Sequence, residues 1–294
     1  MSYKLLPLLI TAVWGAIALP LPHQADATTP LVRAVIKDLR NWVQLMPKNR
    51  PKRNARRSDA MSPGDGLSTG RYSLAELLFN DGSLARVGER AVFNFLARAR
   101  NFRLNNGTVL LLIPPGRGRT KIRTPNAAAA IRGSALFVRH DTASNTTIVG
   151  ALTNSGIEVF NQKGSRSKVL KAGQMMVVRN GRLWRLYEFD LRNFYRTSDL
   201  VKDLELDNPN SVVIPDPALA TVRAETTSAI KEQTPLQGKD VVENPSFVAL
   251  TDGKKRPDSE ELDGEKDESE EDSSVIATDN NPVTVTDNNS VRGN

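Results

Sequence analysis

The sequence predicts a mainly β protein: a sandwich, an open barrel or a compact solenoid of short strands. An N-terminal and a C-terminal amphipathic helix flank it, and a disordered acidic tail follows. Three observations carry this. Apolar residues alternate with period two across residues 64–186. Turn-forming clusters punctuate that region every 8 to 15 residues or so. No helix of βαβ length separates the strands, which disfavours a parallel α/β sheet.

Residues 1–27 read as a signal peptide. Lys4 supplies the positive start, and residues 5–19 form an apolar run of about 15 residues, short of the roughly 20 that span a bilayer. Ala25 and Ala27 then make the small-x-small pattern that a signal peptidase accepts. Cleavage after Ala27 predicts a periplasmic or secreted protein without a stable membrane span.

Residues 28–47 read as an amphipathic helix. Leu31, Val32, Val35, Ile36, Leu39, Trp42, Val43 and Met46 recur at helical spacing, and Pro47 ends the pattern. Residues 48–63 form a linker, with six basic residues between Lys48 and Arg57 and no apolar period.

The β-domain occupies residues 64–186. Ala75, Leu77 and Phe79 alternate up to an Asn80-Asp81-Gly82-Ser83 turn. Phe93 and Phe95, Phe102 and Leu104, then Val109, Leu111 and Ile113 mark further strands. Asn180-Gly181 suits the positive φ angles of a tight hairpin turn between residues 175–179 and 182–186. Helical spacing returns over residues 187–206 through Leu191, Phe194, Tyr195, Leu200, Val201 and Leu204. From residue 207 to 294 the chain is polar, with an acidic run at 258–272. Too little apolar surface is present there to offset the entropy of ordering, so disorder is expected.

Charge divides the same way. Residues 28–200 hold 30 Lys and Arg against 11 Asp and Glu, and residues 201–294 hold 9 against 21. A basic body suits nucleic acid, anionic lipid, lipopolysaccharide or another acidic polymer, or plain solvation of a small sheet. Aromatic residues are too few to interleave as a base-stacking platform, which argues against nucleic acid.

No catalytic constellation stands out. With no cysteine in the chain, thiolate chemistry, disulfides and cysteine zinc sites are excluded. Cleavage of the leader removes His23 and leaves His140 alone, too few histidines for a metal cluster. The Ser165-Arg166-Ser167-Lys168 match to a Ser-Lys motif lies in a polar loop and not at the head of a buried helix. Gly116-Arg117-Gly118-Arg119-Thr120 lacks the phosphate-loop spacing. Asp65, Glu76, Asp81, Glu89, Asp141 and Glu158 are scattered over separate turns and strands. Two of them would have to meet in a cleft to hydrolyse a glycoside. The expectation is a non-enzyme with no cofactor and no metal site.

The stretch 64–181 resembles the FecR domain. The resemblance rests on residues 64–70 (GDGLSTG), which end in Gly70, on Ala75-x-Leu77-x-Phe79-Asn80-Asp81-Gly82-Ser83, and on residues 104–109 around Gly107. It continues through Ile122-Arg123-Thr124-Pro125-Asn126-Ala127, Ile131-Arg132-Gly133-Ser134 and Ala172-Gly173-Gln174. Ser134 stands where the family usually has threonine. The resemblance implies an all-β extracytoplasmic domain without catalytic residues. Its motif positions Gly70, Asp81, Gly82, Ser83, Thr124, Pro125, Gly133, Ser134, Gly173 and Gln174 make sense as fold determinants. The Arg-rich body followed by the helix expected over 187–206 looks similar to secreted, stand-alone FecR-domain proteins of cyanobacteria. With three residues before Lys4, prototype-style sigma-factor control is not expected.

The expected function is an exported binding or scaffold module whose partner is an envelope protein or an anionic envelope polymer. A FecR-like extracytoplasmic signal-transduction component is the alternative, and an envelope hydrolase the third reading.

Overall fold

Side chains on a strand alternate between its two faces, so a strand buried on one face reads as period two and a strand buried on both as an unbroken apolar run. Both kinds occur here, and they separate two sheets. The computed structural model describes residues 29–97, 100–211 and 219–236. Its first strands are β1 (Ala34–Arg40), β2 (Val43–Met46), β3 (Arg53–Asn54), β4 (Ala60–Met61), β5 (Gly66–Thr69), β6 (Leu74–Phe79), β7 (Leu84–Val87), β8 (Val92–Phe95) and β9 (Asn101–Ile113). Then come β10 (Thr120–Arg123), β11 (Ala127–Ile131), β12 (Ser134–Asp141), β13 (Thr146–Ala151), β14 (Ile157–Asn161), β15 (Ser167–Leu170), β16 (Gln174–Arg179) and β17 (Arg182–Glu188). The helices α1 (Leu191–Thr197) and α2 (Ala220–Glu232) close the described chain.

The middle sheet runs β4-β1-β6-β7-β9-β12-β13-β16-β17, antiparallel throughout. The outer sheet runs β3-β2-β5-β8-β9-β10-β11-β14-β15, antiparallel except where β10 lies parallel to β9. Strand β9 belongs to both. Residues 101–106 pair within the outer sheet and residues 107–113 within the middle one. Gly107 sits at the changeover with φ +85°, and a Cβ there would lie 2.5 Å from the Cα of Ala91. Only glycine meets both demands. The two sheets are open and face one another; they do not close into a barrel.

Between them lies one apolar core, to which Ile36, Leu77, Val109, Leu136 and Val178 come from the middle sheet and Leu45, Leu67, Phe93, Leu104 and Val159 from the outer. Rings of Phe79, Phe93, Phe95 and Phe102 meet at centroid distances of 5.2–5.8 Å. Truncating one such ring to alanine costs about 3–5 kcal/mol.

The other face of the middle sheet is buried too. Leu84, Leu110, Leu112, Ala135, Phe137 and Met175 pack beneath Phe189, Leu191, Phe194, Leu200, Val201, Leu204 and Val222. This third layer explains the unbroken run Val109-Leu110-Leu111-Leu112-Ile113. Phe194 stacks on Phe137 at 5.5 Å.

Three expectations need correction. The helix expected over 28–47 is two strands, β1 and β2. Pairing with β6 and β5 buries Ala34 and Ile36, then Val43 and Leu45, on alternate positions. The linker expected at 48–63 carries β3 and β4, so the β-structure begins near residue 34 rather than 64. The C-terminal helix expected over 187–206 is only the seven residues of α1. Asp190 caps its start by accepting from the Asn193 N–H at 3.0 Å, and residues 198–206 continue as irregular turns pressed onto the sheet.

Within the tail expected to be disordered from residue 207, α2 is ordered, with Val222, Thr226 and Ala229 buried. The signal peptide with Ala25 and Ala27, and the tail beyond residue 236, lie outside the described residues. Among the described residues no helix is long and apolar enough to cross a membrane.

Candidate functional site

Polar residues inside an apolar core must satisfy one another, because an unpaired buried group costs its full desolvation. Two such groups link the sheets. In the β6–β7 turn, Asp81 accepts from the Ser83 N–H and hydroxyl at 2.9 Å each, and Gly82 takes φ +81°. The Asp81 carboxylate pairs with Arg100, which precedes β9, and both side chains are fully buried. Arg100 also donates to Thr120 Oγ1 at 2.8 Å, to the Thr29 carbonyl at 3.1 Å and to Ser83 Oγ at 3.3 Å. This assembly ties the two sheets and the N-terminal segment together.

The second group surrounds His140. Its Nδ1 lies 2.9 Å from Thr147 Oγ1, which in turn meets Thr124 Oγ1 at 2.8 Å and donates to Asn126 Oδ1. Asn126 reaches on to the carbonyls of Asn145 and Val178. Burial lowers the pKa of His140 against the opposing charge of Asp141. The imidazole is therefore neutral at pH 7. Its partner is a buried threonine, an arrangement that orders a turn.

The remaining motif positions sit at separate turns. Gly70 packs under Trp42, where a Cβ would come within 3.1 Å of the indole. Thr124 closes the β10–β11 turn, its N–H donating to the Ala127 carbonyl at 2.9 Å, and the Pro125 carbonyl accepts from Gln162 Nε2 at 3.1 Å. Gly133 lies against Pro115, and Ser134 follows at φ +75° with its buried hydroxyl unpartnered among the described residues. Gly173 and Gln174 form the β15–β16 turn, with Gln174 Oε1 accepting from the Lys171 N–H at 3.1 Å. These positions hold turns and do not converge on one cleft.

Each carboxylate proposed for hydrolysis is engaged where it stands. Asp65 accepts from Lys48 and Ser62 N–H groups, Glu76 pairs with Arg86, and Asp81 with Arg100. Glu89 accepts from the Tyr72 N–H, Asp141 caps residues 143 and 144, and Glu158 pairs with Arg119. Ser165 is exposed and accepts from Asn161 at 3.1 Å. Among the described residues no three His, Asp or Glu side chains gather as a metal site.

Besides the exposed basic residues of 48–57, two further surfaces of the sheets are basic. On the outer sheet, Arg103 and Arg123 are exposed neighbours across the parallel β9–β10 pair, with Lys121 one row away. The other is the edge where β15 and β17 end their sheets. Sequence reasoning singled out neither, nor the Glu76–Arg86 pair. That pair was within reach: a hairpin turning at residues 80–83 sets Glu76 opposite Arg86.

Residues 65–155 match the family model described as "FecR protein". This part of the chain is a FecR domain. It runs from the start of β5 to just beyond β13, so β1–β4 and β14–β17 extend the FecR domain's sheets on both sides. Asp81-Gly82-Ser83, Thr124-Pro125 and Gly133-Ser134 all fall within it. No curated protein matches the chain. Two solved structures to which parts of the chain show similarity are described as crystal structures of a putative anti-sigma factor from Parabacteroides distasonis ATCC 8503. One is 14% identical with a TM-score of 0.38, over 45% of this chain and 64% of that one. The other is 13% identical with a TM-score of 0.39, over 60% of this chain and 97% of that one.

Proposed function

We propose that this FecR-domain protein is a non-catalytic signal-transduction component of the cell envelope, working through protein contacts. The FecR match over residues 65–155 carries this reading. It is supported by motif residues spent on turns and sheet-to-sheet links, and by carboxylates each occupied locally. The export part of this reading draws on the leader-like residues 1–27, which support a periplasmic or secreted location.

The test is a clean deletion in the source bacterium, profiled for transcripts under iron limitation and envelope stress. A discrete regulon that shifts in the deletion strain and returns on complementation is expected. An unchanged profile under both conditions removes the reading.

A second reading, a scaffold on an anionic envelope polymer, draws on the exposed Arg103 and Arg123. Salt-sensitive pull-down by lipopolysaccharide or peptidoglycan, lost in Arg103→Glu/Arg123→Glu, is its signature.

A further inference from the structure

Strands β15 and β17 terminate the outer and middle sheets. Among the described residues each is hydrogen-bonded along one side only, so each leaves a row of N–H and C=O groups without a strand partner. Together they make one end of the sandwich. Ser167, Lys168 and Val169 are exposed on β15, and Arg182, Trp184 and Arg185 on β17.

The charge of this end is one-sided. Residues 158–188 hold seven cations, Lys163, Arg166, Lys168, Lys171, Arg179, Arg182 and Arg185, against Glu158 and Glu188. Glu158 is committed to Arg119 at 2.8 Å. Apolar surface sits among these cations. Val169 is 57% exposed and Trp184 53%, and the Arg179 guanidinium lies 5.0 Å from the Trp184 ring centroid.

Trp184 is also the extra residue of a β-bulge, since Val177 pairs with Arg185 and Val178 with Leu183. A bulge interrupts the ladder and re-aims its side chain, which makes β17 a poor template for another strand. The register of β15 on β14 is unbroken from Leu170 to Ser167.

We propose that this end of the domain docks an acidic, extended segment of a partner protein, added as a strand along β15 with β17 as a basic and aromatic wall. The inference rests on the protein-contact reading above. Main-chain pairing supplies affinity in this mode, and flanking side chains supply selection. Val169 lies opposite Glu158 on the face turned away from the core, and Lys168 lies opposite the core residue Val159. Apolar residues of the segment therefore cover Val169, while its carboxylates share the Lys168 face, toward Arg166 and Arg182. Edge-to-edge pairing of β15 with β15 of a second copy would bring like charges together and is rejected. A nucleic acid would need successive aromatic platforms, and a polysaccharide has no backbone that continues a sheet.

The full-length protein is titrated into a fluorescent peptide of alternating Glu and Val, read by anisotropy. Binding is expected to weaken with salt and to fall at least about tenfold in Arg166→Glu/Lys168→Glu/Arg182→Glu. The same peptide N-methylated on alternate amides keeps its charge but loses strand pairing, and it is expected to bind about tenfold more weakly to the unaltered protein. The site is overturned if the peptide does not bind, if N-methylation leaves affinity unchanged, or if the triple variant binds equally. It is also overturned if heparin or single-stranded DNA of matched charge displaces the peptide more readily than unlabelled peptide does. The transcript test does not depend on which surface is used, so the two readings fail separately.

Discussion

Arg100 and Asp81 form an ion pair in which neither side chain is exposed to solvent. The Asp-Gly-Ser turn of the FecR domain thus does more than reverse the chain. It presents a carboxylate to a guanidinium 19 residues away that also grips Thr120 and the Thr29 carbonyl.

Removing one partner of this pair leaves a buried charge uncompensated. Asp81→Ala is expected to cost about 3–5 kcal/mol, measured as a shift in the urea midpoint. The double substitution Asp81→Leu/Arg100→Met removes both charges and is expected to recover much of that loss.

Gly107 stands where β9 leaves one sheet for the other. Gly107→Ala adds a methyl 2.5 Å from the Cα of Ala91 at a positive φ, so it is expected to destabilise by about 2 kcal/mol or more. A control, Gly164→Ala, shares a positive φ but meets no atom within 4 Å and is expected to cost less. Thermal and urea unfolding separate the two.

His140 gives stability a pH dependence. Burial holds its pKa below the ordinary value of 6.5, so the unfolded chain takes up a proton more readily than the folded one. The stabilisation is present above pH 6.5 or so and is lost as pH falls toward the depressed folded value. Urea midpoints measured from pH 7.5 to pH 5 are expected to decline, and His140→Gln is expected to flatten that decline.

Arg86 fastens the third layer. Its Nε donates to Glu76 at 2.8 Å, and its Nη1 reaches the carbonyls of Leu200 and Lys202. Arg86→Met is expected to raise amide hydrogen exchange across residues 199–206 while leaving β9 and β12 protected. Equal protection of residues 199–206 in both proteins would show that apolar packing alone holds them.

Alternation and turn chemistry made most of the β-structure legible. The Asn180-Gly181 hairpin and the turn at 80–83 stand where the sequence places them, because each is decided by neighbours in the chain. The N-terminal segment was not legible. Leu31, Val35, Leu39 and Val43 fit a helix, while Ala34-x-Ile36 and Val43-x-Leu45 fit strands, and short apolar segments satisfy both periods. Pairing with β6, some forty residues on, settles the choice, and single-sequence periodicity does not see it.

The ordered α2 was hidden for a related reason. It has few apolar residues, and its order depends on the sheet already waiting beneath Val222 and Ala229. Arg100 gave no local signal as the partner of Asp81. The basic edge was visible as charge but not as an edge, since strand order is a property of the sheet.

The proposed function requires this domain to act by touching other proteins. A photo-crosslinking residue placed in the living cell at Trp184, and in a second strain at Trp42, tests it most directly, with adducts identified by mass spectrometry. Discrete protein adducts are expected from at least one of these exposed positions. Adducts confined to lipid or polysaccharide, or none at either position, would rule out action through protein contacts.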